Sequence, residues 1–195
     1  MAVLTVANQL TLLRLLLVPV FALCMLYQMP GWALLTFAVA GATDAFDGLV
    51  ARQFDQPTAL GAWLDPMADK LLVTTMFVTL TWPGLALAQH LPLWLTVLVL
   101  SRDIAIVLTV AIINLAVTRR TFKPSWLGKA ATAIYVVTGV VALFANYLGR
   151  PLQIVTWLVY ASLALTLTSS AEYVVRIARE LASDGGKPQT RQGQH

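Results

Sequence analysis

Four aspartates carry the most chemistry in this sequence. Of only nine acidic residues, Asp44, Asp47, Asp65 and Asp69 all fall within or at the ends of apolar runs. An ionised carboxylate in an apolar segment costs at least ~2.5–3.5 kcal/mol if that segment lies in a bilayer. Four close together would also repel, so the set persists only with compensating cations. Asp44 and Asp47 are three apart and Asp65 and Asp69 four apart, which on a helix places each pair on one face. Gly48 and Ala51 share the first face and leave room beside it for a ligand or a neighbouring helix. The short link Gln53–Ala59 makes the two helices antiparallel neighbours, so four carboxylates can converge. Oxygen donors alone select hard cations: magnesium or manganese fits, calcium is possible, and zinc lacks its usual histidine or cysteine. Two such ions suit a pyrophosphate-bearing substrate, because they can clamp its oxygens and stabilise a leaving phosphate. The competing readings are a structural hydrogen-bonding aspartate or an ion path.

The elements that would position these residues are membrane helices. Hydrophobic residues make up 58% of the 195 residues and charged residues 11%, with a mean hydropathy of +0.76. A soluble domain carries about 25% charged residues. Six apolar runs are each near or above the ~20 residues that cross a bilayer: Asn8–Tyr27, Gly31–Arg52, Leu60–Trp82, Leu91–Val117, Ser125–Tyr147 and Leu152–Ile177. Pro and Gly punctuate their ends at Pro30-Gly31, Pro83-Gly84, Pro124 and Gly149-Arg150-Pro151. The expected fold is an all-α bundle of six transmembrane helices over residues 1–181, followed by a disordered polar tail over 182–195.

Net charge is +4, but the basic residues lie mostly between apolar runs and not on an aromatic-studded face, so nucleic acid is not an expected partner. Arg52 follows the second run, Arg119, Arg120 and Lys123 the fourth, and Arg176, Arg179, Lys187 and Arg191 the sixth, against only Arg150 on the other side. The positive-inside rule therefore puts both termini and the aspartates on the cytoplasmic side. The N-terminus lacks a basic region before its first apolar run, so that run is expected to stay as a helix rather than be cleaved. A short chain without a targeting segment suits a bacterial inner membrane. The lone Cys24 reads as a packing or lipid-facing residue, and His90 as an interfacial loop residue.

The spacing Asp44-x2-Asp47-Gly48-x2-Ala51-Arg52-x8-Gly61-x3-Asp65-x3-Asp69 resembles the signature of the CDP-alcohol phosphatidyltransferase family, with eight identities over 26 positions. The resemblance extends to the six-span topology. It implies that Asp44, Asp47, Asp65 and Asp69 hold two Mg2+ or Mn2+ ions and that Asp69 is the general base on the acceptor hydroxyl. Asp47, Gly48, Ala51, Arg52 and Gly61 would form the CDP site of CDP-diacylglycerol. A cation channel lined by the aspartates is the reading from another class, but it has no use for the fixed small residues. The resemblance also implies a homodimer.

The acceptor side is read from basic residues. Arg102, beside Asp103, is either an inward anion ligand or half of a local pair at a helix end. Arg119, Arg120 and Lys123 are acceptor ligands or lipid-headgroup anchors. Lys70 either touches a lipid phosphate or extends to the interface. Lys129, in Pro124-Ser125-x2-Gly128-Lys129, and Arg14, in Asn8-x2-Thr11-x2-Arg14, resemble stretches of glycerol-type family members, and both are acceptor candidates. Arg14 has a second reading as an interfacial anchor. Glu172 and Tyr173 read as packing or pairing residues, Glu172 with Arg176. Members that make phosphatidylglycerol phosphate from glycerol 3-phosphate share these stretches with members that make cardiolipin from phosphatidylglycerol. The first acceptor is the leading expectation, although Arg102-Asp103 resembles the second group.

Overall fold

A computed structural model describes residues 6–54, 59–116 and 126–184, with side chains at residue 9 and over 11–43, 67–108 and 126–175. The described residues form six α-helices and no strands: α1 Val6–Leu26, α2 Pro30–Phe54, α3 Ala59–Thr81, α4 Leu93–Ala116, α5 Trp126–Tyr147 and α6 Gln153–Asp184. Their limits fall within two residues of the apolar runs, except at the end of α6. There the helix continues to Asp184, three residues into the stretch expected as a tail. Ala171–Asp184 carries three Ala, two Glu and two Arg, which favour helix regardless of polarity. Residues 185–195 lie outside the described residues.

Helices apolar on every side have no single buried face and pack on several neighbours. In the centre, Phe21 and Phe37 meet edge-on with centroids 6.0 Å apart, as do Phe77 and Tyr135 at 6.2 Å. Helix α1 packs against both α2 and α3, while α5 packs against α2, α3 and α6. Gly139 lets α5 approach α3, because a Cβ there would collide with buried Met76.

Apolar side chains lie on the outside as well as in the core, and several polar ones are buried. Large apolar side chains such as Leu16, Trp32, Val97, Ile104 and Trp157 are exposed, while Thr11, Arg14, Thr138, Ser162 and Thr166 are buried. The buried hydroxyls bond backbone carbonyls one turn back or each other across helices: Thr138 meets Ser162 at 3.0 Å, Thr81 meets Thr96 at 2.6 Å, and Tyr135 meets Thr166 at 2.5 Å. Among the described residues, α5 and the Gln153–Val175 part of α6 are long and apolar enough to cross a membrane, and the apolar stretches Thr11–Leu26 and Pro30–Thr43 are shorter.

At the end opposite the aspartates, one buried amide joins two connections. Asn146 accepts from the Gln89 N–H and donates to the Gln89 carbonyl, both at 2.9 Å, while Gln89 Oε1 accepts from the Leu152 N–H at 3.2 Å. Gly149, with φ of +66°, ends α5 in a left-handed turn that only glycine adopts without strain. Asn146→Ala is expected to strand both Gln89 backbone groups and lower stability by about 1–3 kcal/mol, read as a reduced melting temperature in detergent.

Candidate active site

Rise per residue gives each aspartate's distance along its helix from the connection between α2 and α3. Helices α2 and α3 are separated by residues 55–58. At 1.5 Å per residue, Asp47 lies about 10 Å before the end of α2 and Asp65 about 9 Å after the start of α3. Asp44 and Asp69 both lie about 15 Å from the same connection. The side chains of Asp44, Asp47, Gly48, Ala51, Arg52, Gly61 and Asp65 lie outside the described residues, as do Arg119, Arg120 and Lys123 entirely. Asp69 is the described member of the set.

The Asp69 side chain is 48% exposed, open enough to meet a ligand, and its Oδ1 stands 3.0 Å from Nη1 of Arg14. Arg14 comes from α1, the helix that touches both α2 and α3, and its side chain is 0% exposed. A fully enclosed guanidinium beside a carboxylate is costly to desolvate, and its position is fixed by the pairing. Arg14 thus lies enclosed beside Asp69 and not at an exposed interface.

The residue after Asp69 faces the other way. Lys70 Nζ lies 2.9 Å from Asp103 Oδ2 on α4, and the second oxygen of Asp103 lies 3.2 Å from Arg102 Nη1. Arg102, 9% exposed, also reaches the Gly128 carbonyl at the start of α5, at a long 3.5 Å. Its guanidinium carbon stands 5.9 Å from the centre of the Tyr135 ring, within cation–π range. Tyr135 is held in turn by Thr166 on α6. Two cations share one carboxylate here, so the cluster carries an excess positive charge. Exposed Lys129 stands next to Gly128 and forms no ion pair with a described residue. The local Arg102–Asp103 pair expected from adjacency is present, but it is one link of a chain running from α3 through α4 to α5.

The sequence reading had no place for Tyr135 or Thr166 in this cluster and gave Asp103 only a local role. A carboxylate left over in an apolar run was the available signal for Asp103. Glu172 Oε2 is enclosed without a hydrogen-bond partner among the described residues, and the side chain of Arg176, its expected partner, lies outside them. Cys24 packs at the margin of the core, and His90 is exposed in the connection from α3 to α4, remote in sequence from the aspartates. Neither supplies a nitrogen or sulfur ligand near Asp69. Among the described residues no three His, Cys, Asp or Glu side chains are grouped.

The arrangement suits an anionic substrate approached by a carboxylate on one side and cations on the other. Comparison with known proteins gives the same class. Residues 4–168 match the sequence model of the CDP-alcohol phosphatidyltransferases. The chain belongs to the CDP-alcohol phosphatidyltransferase family. This transferase is 39% identical to a Mycobacterium tuberculosis protein named probable phosphatidylglycerophosphate synthase, over 94% of this chain and 85% of that one. It is 34% identical to the CDP-diacylglycerol–glycerol-3-phosphate 3-phosphatidyltransferase of Pseudomonas fluorescens, over 93% of this chain and 94% of that one. A CMP-forming cardiolipin synthase of Streptomyces coelicolor is 40% identical over 67% of this chain and 60% of its own length.

Proposed function

We propose that this transferase moves the phosphatidyl group of CDP-diacylglycerol onto glycerol 3-phosphate, making phosphatidylglycerol phosphate and CMP in phospholipid synthesis. The observation that carries the choice of acceptor is the extent of the matches. The two relatives named for glycerophosphate products align over at least 85% of their own lengths, whereas the cardiolipin synthase aligns over 60%. The excess positive charge around Arg102, Lys70 and Lys129 favours the same acceptor, whose phosphate monoester carries more charge than a phosphodiester.

In the reaction, Asp69 takes the proton of the acceptor hydroxyl. The hydroxyl oxygen forms a bond to the phosphorus that bears diacylglycerol, the bond from that phosphorus to the bridging oxygen breaks, and CMP leaves with that oxygen. Lys129 and Arg102 hold the acceptor phosphate, with Arg119, Arg120 and Lys123 as further candidates. Asp47, Gly48, Ala51, Arg52 and Gly61 hold the CDP moiety. The donor set fits hard cations, since Asp69 is half open and all four candidates are carboxylates, with oxygen donors throughout. Two Mg2+ or Mn2+ ions held by Asp44, Asp47, Asp65 and Asp69 would neutralise the charge on the pyrophosphate oxygens.

All six helices are read as membrane spans of a domain over residues 1–181, with the polar tail beginning in the last turn of α6. The support is the many large apolar side chains on the outside, with polar groups buried between helices, which water would penalise and lipid favours. The positive-charge bias supports a cytoplasmic side for the termini and site, and a bacterial inner membrane is part of the same reading. A homodimer is part of the same reading.

Purified protein with CDP-diacylglycerol and magnesium tests the acceptor. CMP release is expected with glycerol 3-phosphate and not with phosphatidylglycerol. Release with phosphatidylglycerol alone would make this a cardiolipin synthase.

A further inference from the structure

Arg102 is an enclosed cation with thin polar support. Its side chain is 9% exposed. Nη1 reaches Asp103 Oδ1 at 3.2 Å, on a carboxylate that also meets Lys70, and Nη2 reaches the Gly128 carbonyl at 3.5 Å. Both are long for a charged donor, whose bonds to carboxylates run about 2.7–2.9 Å. Nε is enclosed without a hydrogen-bond partner among the described residues. The other contact is with the face of a ring: the guanidinium carbon lies 5.9 Å from the centre of Tyr135.

That ring is itself fixed from two further helices. Tyr135 is 2% exposed on α5. Phe77 of α3 meets it edge-on, with centroids 6.2 Å apart and planes at 82°. Its hydroxyl lies 2.5 Å from that of Thr166 on α6. Thr166 donates to the Ser162 carbonyl at 2.6 Å, which leaves the Tyr135 hydroxyl as the donor between the two. A ring held in this way is a rigid surface for a long, flexible side chain. Contact through its face also consumes no N–H donor, so the edge of the guanidinium stays available to an anion.

We propose that Tyr135 is a positioning residue for Arg102: from α5, its ring face holds the guanidinium where it binds the phosphate of the acceptor. This rests on the reading of Arg102 as an acceptor ligand. The two ends of Tyr135 then have separate tasks. The hydroxyl fixes the ring to α6, and the ring face fixes the cation. The competing role is packing alone, with Tyr135 filling the space between α3, α4 and α6.

Fluorination of the ring separates the two, because it withdraws electron density from the face and leaves the shape nearly unchanged. Tyr135→Phe is the starting point, followed by mono-, di- and trifluorinated phenylalanine at the same position. Tyr135→Phe is expected to lower the melting temperature by losing the bond to Thr166, and to change the KM for glycerol 3-phosphate by less than about twofold. Added fluorines should raise that KM in steps, to about fivefold above Tyr135→Phe for the trifluorinated ring. The KM for CDP-diacylglycerol should stay within about twofold, and kcat at saturating acceptor should hold. An acceptor KM that is flat along the series overturns the proposal and leaves Tyr135 a packing residue. A rise shared equally by the KM for CDP-diacylglycerol also overturns it, since the effect is then general. Should Tyr135→Phe fail to fold, fluorinated tyrosines keep the hydroxyl and carry the same series. Arg102→Ala is assayed alongside. A raised acceptor KM in Arg102→Ala with a flat series refutes only the positioning role. An unchanged acceptor KM in Arg102→Ala refutes the ligand assignment, and the proposal with it. If CMP release requires phosphatidylglycerol, the choice of acceptor fails, and the series is decided on the KM of that acceptor instead.

Discussion

Asp69→Asn is expected to abolish CMP release, with a loss of at least ~1,000-fold in kcat. The substitution keeps the shape of the side chain and removes its basicity. General base catalysis contributes about 10²–10⁴-fold by itself, and the same carboxylate is proposed to hold a metal ion, so the two losses fall on one residue. Folding should survive. Asp69 is half exposed, so the amide stays solvated, and the cost of weakening its pair with buried Arg14 is smaller than for a fully enclosed pair. Binding of CDP-diacylglycerol should persist in part, because Gly48, Ala51, Arg52 and Gly61 are unchanged. The measurement is CMP release under single-turnover conditions, with a melting curve on the same preparation. A well-folded Asp69→Asn enzyme that turns over at the wild-type rate would remove Asp69 from the chemistry.

How much of this was legible beforehand depended on range in sequence. Helix limits came from apolar length and from proline and glycine punctuation, and five of the six helices lie within two residues of those limits at both ends. The end of α6 was missed because hydropathy marks where a membrane segment stops, whereas Ala, Glu and Arg continue a helix into water. The spacing of the aspartates along each helix followed from rise per residue. The partners did not. The short link made α2 and α3 the expected neighbours, whereas α1 is the helix that packs on both, so the Arg14–Asp69 pair joins residues 55 positions apart with no spacing rule to announce it. Arg102 shows the same limit within one side chain. Its contact with Asp103 is local and was weighed, while those with the Gly128 carbonyl and the Tyr135 ring cross from α4 to α5 and depend on helix packing.

Chelation of divalent cations is expected to stop turnover completely and reversibly. Four carboxylates brought together from two helices would repel one another, and Arg14 beside Asp69 supplies a compensating charge from the side of α1. The remaining negative charge must be met when a pyrophosphate, itself anionic, enters the same site. Without cations the substrate would face a like charge; with them, the same carboxylates become the means of holding it. EDTA should therefore reduce CMP release to background, and excess Mg2+ or Mn2+ should restore it. Zn2+ should restore it poorly, because neither Cys24 at the core margin nor His90 in the distant connection offers the softer donor that zinc prefers. The same reasoning gives a readout independent of activity. A cation that binds only the folded site stabilises it by about 2.7 kcal/mol at one hundred times its Kd, so the melting temperature should rise with Mg2+ in the wild type and rise much less in Asp69→Asn. Activity indifferent to chelation, together with a melting temperature that ignores Mg2+, would refute the metal-bound reading of the four aspartates. Arg14 would then be a counter-charge to Asp69, and the stability of the cluster would need another explanation.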